Sequence, residues 1–154
     1  MSIPHRLQPL TGTEFAGEVE AVGGGVSSLK AGDRVFGFDD NGARSHAQYL
    51  AIREHYVVTI PGDASFEQAA ASSEGAHYAY SCIQKLNLDS GHKALVYGAT
   101  GAIGSAAVQL LKSSEVNVTA VGTTKNMEMM KSLVFRYGQV TAIVRMGASP
   151  GVSK

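Results

Sequence analysis

Little in the sequence points to a membrane, an export route or a metal. Its 154 residues include one cysteine, Cys82. No internal disulfide and no cysteine-rich zinc site can form, so a reducing, cytoplasmic setting is expected. Cys82 itself reads as a small buried residue on a helix. No apolar run approaches the roughly 18 residues of a membrane-spanning helix. The opening "MSIPHRLQPLTGTEF" lacks the basic start and apolar centre of an export signal. Net charge is absent too: 13 Lys and Arg balance 13 Asp and Glu, and the basic residues are scattered, so no field gathers nucleic acid. His5, His46, His55, His77 and His92 show no paired ligand spacing, and each reads as an ordinary surface or core residue with no metal. A G-x-S-x-G elbow and a cysteine–histidine nucleophile pair are also missing.

What is present has a clear order. Residues 14 to 60 read as short strands separated by glycine turns: "EFAGEVEAV", "RVFGF", "HAQYLAI" and "YVVTI", with the loop "GGGVSSLKAGD" after the first. From residue 63 the rhythm becomes helical. Asp63 or Ser65 is placed to cap a helix before "EQAAA", and "EGAHYAYSCIQKLN" continues helically. Strand and helix then alternate: strand 93 to 97, helix 101 to 112, strand 116 to 121, helix 125 to 133, and a third strand from 140. That alternation predicts a parallel sheet in an α/β domain. Three strands are half of a doubly wound dinucleotide fold, which has about six.

The stretch "LVYGATGAIGSAAVQLLK" at residues 95 to 112 carries the chemistry. Leu95, Val96 and Tyr97 read as a buried strand, and Ala102, Ile103, Ala106, Ala107, Leu110 and Leu111 trace one helical face. Between them Gly98, Gly101 and Gly104 recur every three residues, with Ala99 where the strict G-x-G-x-x-G pattern has its first glycine. A tight turn into a helix N-terminus presents unpaired N–H groups and the positive end of the helix dipole to an anionic diphosphate. Glycine at 101 lets backbone approach phosphate, and Gly104 lets the helix pack on the strand. An NAD site places a carboxylate about 20 residues further on. Here that position falls in "AVGTTKN", which holds no acid. Thr123, Thr124 and Lys125 offer hydroxyls and an ammonium to a 2′-phosphate, so NADPH is the expected cofactor.

Taken with these, "GTEFAGEVEAVGGGVSSLKAGDRVFGF", "AQYLAI", "IPGDASFEQAAA" and "GATGAIGSAAVQLLK" make residues 11 to 133 resemble the medium-chain dehydrogenase/reductase superfamily, in its zinc-independent quinone oxidoreductase branch. The resemblance implies a partial GroES-like β module over residues 1–62, connecting helices over 63–92, and the first half of a Rossmann NADPH-binding domain over 93–154. Nicotinamide and substrate are expected between the two. It also makes Gly98, Ala99, Gly101, Ala102, Ile103 and Gly104 the pyrophosphate turn, with Thr123 and Lys125 at the adenosine phosphate. Zinc-dependent relatives carry histidine where this chain has Thr13. Members often have threonine near the nicotinamide where this chain has Tyr78.

The implied activity is hydride transfer from NADPH to a quinone or an α,β-unsaturated carbonyl, with a small-molecule substrate and a homodimeric assembly. Tyr78 and Tyr80 are the nearest proton donors. Relatives continue beyond "KSL" with a glycine, alanine and aspartate run. Here "VFRYGQVTAIVRMGASPGVSK" follows, with no acid after Glu128. A frameshifted or truncated reading frame produces such a tail, as does a diverged strand followed by a poorly packed end. The alternative function is therefore a catalytically silent nucleotide-binding fragment. An atypical short-chain reductase would begin at "LVYGATG", without the β module before it.

Overall fold

The computed structural model describes residues 11–41, 44–135 and 142–146. The chain divides into two compact units, Met1–Glu74 and Gly75–Lys154.

In the first unit three strands, β1 (Glu14–Glu18), β2 (Arg34–Phe38) and β3 (Val57–Thr59), form an antiparallel sheet in the order β1-β2-β3. Ala16 pairs with Phe36, and Phe36 with Val58. The central strand is fixed from both sides. A Cβ on Gly37 would stand 2.0 Å from the Tyr56 carbonyl oxygen, so only glycine lets the short turn Glu54–Tyr56 cross this strand. Arg34 donates to the Ala64 carbonyl at 2.6 Å and lies over the Phe66 ring at 4.7 Å, tying β2 to helix α1 (Phe66–Ala71). Of the two candidate caps, Ser65 is the one used. Its hydroxyl accepts from Gln68 N–H, and the Gln68 side chain accepts from Ser65 N–H, a reciprocal capping box.

One expected strand does not form. "HAQYLAI" leaves the fold's hydrogen-bonded path after His46 N–H donates to the Thr11 carbonyl. The segment then runs as bends and coil beside a cavity of about 430 Å³, whose other wall is β1 and the residues after it. These residues pair with no described strand, and alternating side chains cannot make a strand without a partner.

The second unit is built on three parallel strands in the order β4-β5-β6: β4 (Lys93–Tyr97), β5 (Asn117–Thr123) and β6 (Ala142–Met146). Val96 pairs with Ala120, and Ala120 with Ile143. Helix α2 (Glu74–Ile83) precedes the sheet, and α3 (Ala102–Ser113) and α4 (Met127–Phe135) are the crossovers. Val108 and Leu111 of α3, Val118 and Ala120 of β5, and Met130 of α4 form the core with Ala99 and Val116.

Three expectations need correction here. Leu95 and Tyr97 are not buried: they are 66% and 72% exposed, because they lie on the face of β4 opposite Ala94 and Val96, which meet the core. Parallel sheets are usually covered on both faces, and among the described residues this face is bare. The core-facing stripe of α3 runs through Gly104, Val108 and Leu111, with Ile103 48% exposed. The helix is turned this way because Gly104 lies against the preceding turn, and 104, 108 and 111 share a face at helical spacing. Cys82 lies on a helix as expected but is exposed, since the buried stripe of α2 passes through Gly75 and Ala79. The third strand forms as the alternation predicts. The expectation for the tail beyond Met146 lies outside the described residues.

Lys112, on the core side of α3, is only 7% exposed, and burial pulls its pKa below the usual 10.5. The folded chain then binds fewer protons than the unfolded one between the lowered value and 10.5, so stability rises with pH through that window. Relative to Lys112→Met, the wild type should gain stability as pH climbs toward 10.5, read as the difference in urea midpoints. A difference independent of pH would show that Lys112 keeps its charge at no cost.

Candidate functional site

The carboxyl end of β4 runs into the glycine turn, and the three glycines are there for three different reasons. Gly98 has φ +74°, a left-handed conformation that disfavours a side chain. Its N–H and that of Ala99 both donate to the Val121 carbonyl at 3.0 Å, which pins the turn to β5 and leaves Ala99 buried in the core. Gly104 is demanded by space, since a Cβ there would stand 2.2 Å from the Gly98 oxygen and 3.0 Å from Ala99 Cα.

Gly101 is demanded by neither. Its φ of −80° and ψ of 169° suit any residue, and a Cβ would meet the Gly98 oxygen at an ordinary 3.6 Å. Gly101 is the N-cap of α3 and has no side chain to offer the helix. The first helical bond runs from Ser105 N–H to the Gly101 carbonyl at 2.8 Å. The N–H groups of Ala102, Ile103 and Gly104 therefore find no acceptor among the described residues. Ala102 and Ile103 are exposed there. The arrangement is open donors at the positive end of a helix with no side chain in front of them. Gly75, in the first turn of α2, lies against this same start of α3: its Cβ would stand 3.0 Å from the Ala102 carbonyl.

β5 ends at the same edge of the sheet. Thr123 closes the strand and a short turn, Thr124–Asn126, leads into α4, with Thr123 and Lys125 both exposed. Two residues not singled out from the sequence join this turn to the glycine turn: Asn126 Nδ2 donates to Thr100 Oγ1 at 3.3 Å. The Thr100 methyl lies over Gly122, where a Cβ would meet it at 3.3 Å and Met130 Sδ at 2.7 Å.

The structure thus gathers Gly98, Ala99, Gly101, Ala102, Ile103 and Gly104 in one turn and sets Thr123 and Lys125 at the end of the neighbouring strand. It does not bring Tyr78 and Tyr80 together. Both are exposed on α2, about 200° apart around the helix. Among the described residues no group of three or more His, Cys, Asp or Glu could hold a metal. His46 bonds Thr11 at 2.9 Å, and His92 accepts from Asp89 N–H at 3.0 Å. His5 lies outside the described residues. Thr13 donates its hydroxyl to Glu74 at 2.6 Å. No described helix is long and apolar enough to cross a membrane.

The alcohol dehydrogenase GroES-like domain matches residues 2–85, more than half of the chain. The chain belongs to this family. Its relatives include quinone oxidoreductases and other reductases of the medium-chain dehydrogenase/reductase superfamily. The quinone oxidoreductase of Pongo abelii is 35% identical over 121 residues, 77% of this chain and 36% of that protein. The 2-methylene-furan-3-one reductase of Solanum lycopersicum is 35% identical over 136 residues, 82% of this chain and 35% of that protein. A mycobacterial protein solved with NADPH superposes with a TM-score of 0.76 over 95% of this chain and 44% of its own, at 22% identity, which shows the shared fold. This member of the family spans about a third of the length of these two curated relatives.

Proposed function

We propose that the protein binds NADPH through the glycine turn and the end of β5, and serves a zinc-independent reduction of a quinone or an α,β-unsaturated carbonyl. The observation that carries the reading is Gly101. Conformation favours glycine at 98 and space demands it at 104, but neither asks for it at 101, where the missing side chain leaves open donors on Ala102, Ile103 and Gly104. A diphosphate fits that chemistry. NADPH is favoured over NADH because Thr123 and Lys125 meet the adenosine end with a hydroxyl and an ammonium, and no carboxylate stands there for a ribose diol. The zinc-free part of the reading is supported by Thr13, whose hydroxyl is engaged with Glu74.

When bound, NADPH supplies the hydride. The N–H groups of Ala102, Ile103 and Gly104 hold the diphosphate, Gly101 keeps the approach clear, and Lys125 neutralises the 2′-phosphate. The proton comes from solvent or from the hydroxyl of Tyr78 or Tyr80. Substrate class follows the named relatives, which reduce a quinone and a methylene-furanone by their names.

A second reading is nucleotide binding without turnover, which needs only the open donors of Ala102, Ile103 and Gly104 and no proton donor. Calorimetry with NADPH and loss of reduced-nicotinamide absorbance with a quinone separate the two. Binding with turnover supports the enzyme, and binding alone supports the second reading. Absence of binding removes both.

Gly101→Ala sharpens the test. Its stability should stay within about 1 kcal/mol of wild type, because alanine suits that backbone and is only a somewhat poorer N-cap than glycine. NADPH affinity should fall roughly 10-fold or more, since the methyl stands in the phosphate's path. Unchanged affinity would remove the glycine turn from the binding site.

A further inference from the structure

We propose that Thr100 and Asn126 form a clasp that sets cofactor discrimination by fixing the Lys125 turn against the glycine turn. The inference rests on the NADPH reading of this site and assigns it two positioning residues.

The two loops leave neighbouring parallel strands at the same edge, and each holds one half of the proposed binding site. Nothing in the β4–β5 ladder fixes where the Thr124–Asn126 turn lies, because the ladder's last pair is Tyr97 with Val121. Beyond that pair two devices continue the connection. The N–H groups of Gly98 and Ala99 converge on the Val121 carbonyl, which anchors the glycine turn to β5. Asn126 Nδ2 then reaches Thr100 Oγ1 at 3.3 Å, in a part-buried setting.

Thr100 is itself held in place. Its methyl rests over Gly122, where a Cβ would press on both this methyl and the Met130 sulfur. Met130 is fully buried, so the floor under Thr100 is packed core. The hydroxyl of a threonine seated by its methyl points in one direction, and Asn126 meets it. Lys125 is the residue before Asn126. Holding the Asn126 side chain holds the backbone on which the Lys125 ammonium is carried, which lowers the entropy lost when that long side chain meets a phosphate. NADH has no 2′-phosphate, so its binding should not depend on this connection.

The test is calorimetry of NADPH and NADH with the full chain carrying Asn126→Ala, Thr100→Val, Thr100→Ser or Lys125→Ala. Thr100→Val keeps the methyl contact and removes the hydroxyl; Thr100→Ser does the reverse. Asn126→Ala and Thr100→Val should each lower the ratio of NADPH to NADH affinity about fivefold. Thr100→Ser, which keeps the hydroxyl but not the methyl that seats it, should lower the ratio less than Thr100→Val, and the double variant Thr100→Val/Asn126→Ala should lose no more than either single one. A purely structural role would lower both affinities together and leave the ratio alone, which overturns the clasp. If Lys125→Ala lowers the ratio and Asn126→Ala does not, the clasp is wrong and the NADPH reading stands. If Lys125→Ala leaves the ratio unchanged, or the wild type binds no NADPH, both fall.

Discussion

Gly104→Ala is expected to lower stability by about 3 kcal/mol or more, and the melting temperature by roughly 6–12 °C, with no ligand present. The added methyl would stand 2.2 Å from the Gly98 oxygen, 2.8 Å from the Gly98 carbonyl carbon and 3.0 Å from Ala99 Cα. All three are backbone atoms. They cannot rotate away like the end of a long side chain, so α3 must retreat from the turn or the turn must leave β5. Retreat separates Val108 and Leu111 from Val118 and Ala120 in the core. Departure of the turn breaks the bonds of Gly98 and Ala99 to the Val121 carbonyl. Either route strains packing that has few voids to absorb it. Gly101→Ala, three residues away, is the control, because its methyl would meet only the Gly98 oxygen at 3.6 Å. A Gly104→Ala midpoint within error of wild type would show that the helix can shift freely, and would remove the steric reason for glycine at 104.

The same turn shows what a sequence can and cannot tell. The strand before it and the helix after it are legible because their periodicities differ and "GATGAIG" separates them; β4 spans Lys93–Tyr97 and β2 spans Arg34–Phe38, the residues their patterns mark. The spacing of glycines at 98, 101 and 104 is visible too, but not the fact that one answers to conformation, one to space and one to neither. The end of α3 carries no glycine. Glu115 takes the left-handed conformation with φ +58°, while Val116 N–H bonds the Leu111 carbonyl and Glu115 N–H that of Lys112. A glutamate in a place where glycine is usual gives no sign of a stop. "HAQYLAI" failed for the opposite reason: its composition suits a strand, and only the tertiary arrangement withholds a partner. The Thr100–Asn126 contact spans 26 residues, with α3 and β5 between them. No local period connects them, so it emerges only when the parallel register brings the two loops to one edge.

Lys125→Glu is expected to reverse the cofactor preference. In the NADPH reading the exposed ammonium meets a phosphate through a charge-assisted contact worth about 1–3 kcal/mol, or roughly 5-fold to 150-fold in affinity. A carboxylate in its place turns attraction into repulsion of a doubly charged group, so the loss of NADPH affinity should lie at or beyond the upper end of that range at low salt. NADH should be unaffected or somewhat tighter, because a carboxylate after the second strand of such a fold can accept from the ribose hydroxyls. Stability should hardly move, as Lys125 is exposed and lies in a short turn. Two signatures distinguish this from general damage to the site. The NADPH penalty should shrink as salt is raised, because an exposed pair is screened over about 8–10 Å at near-physiological ionic strength. The NADH titration should show no loss of affinity relative to the wild type. Equal losses for the two cofactors would mean that Lys125 does not read the phosphate, and a wild type that binds NADH more tightly than NADPH would overturn the assignment of cofactor.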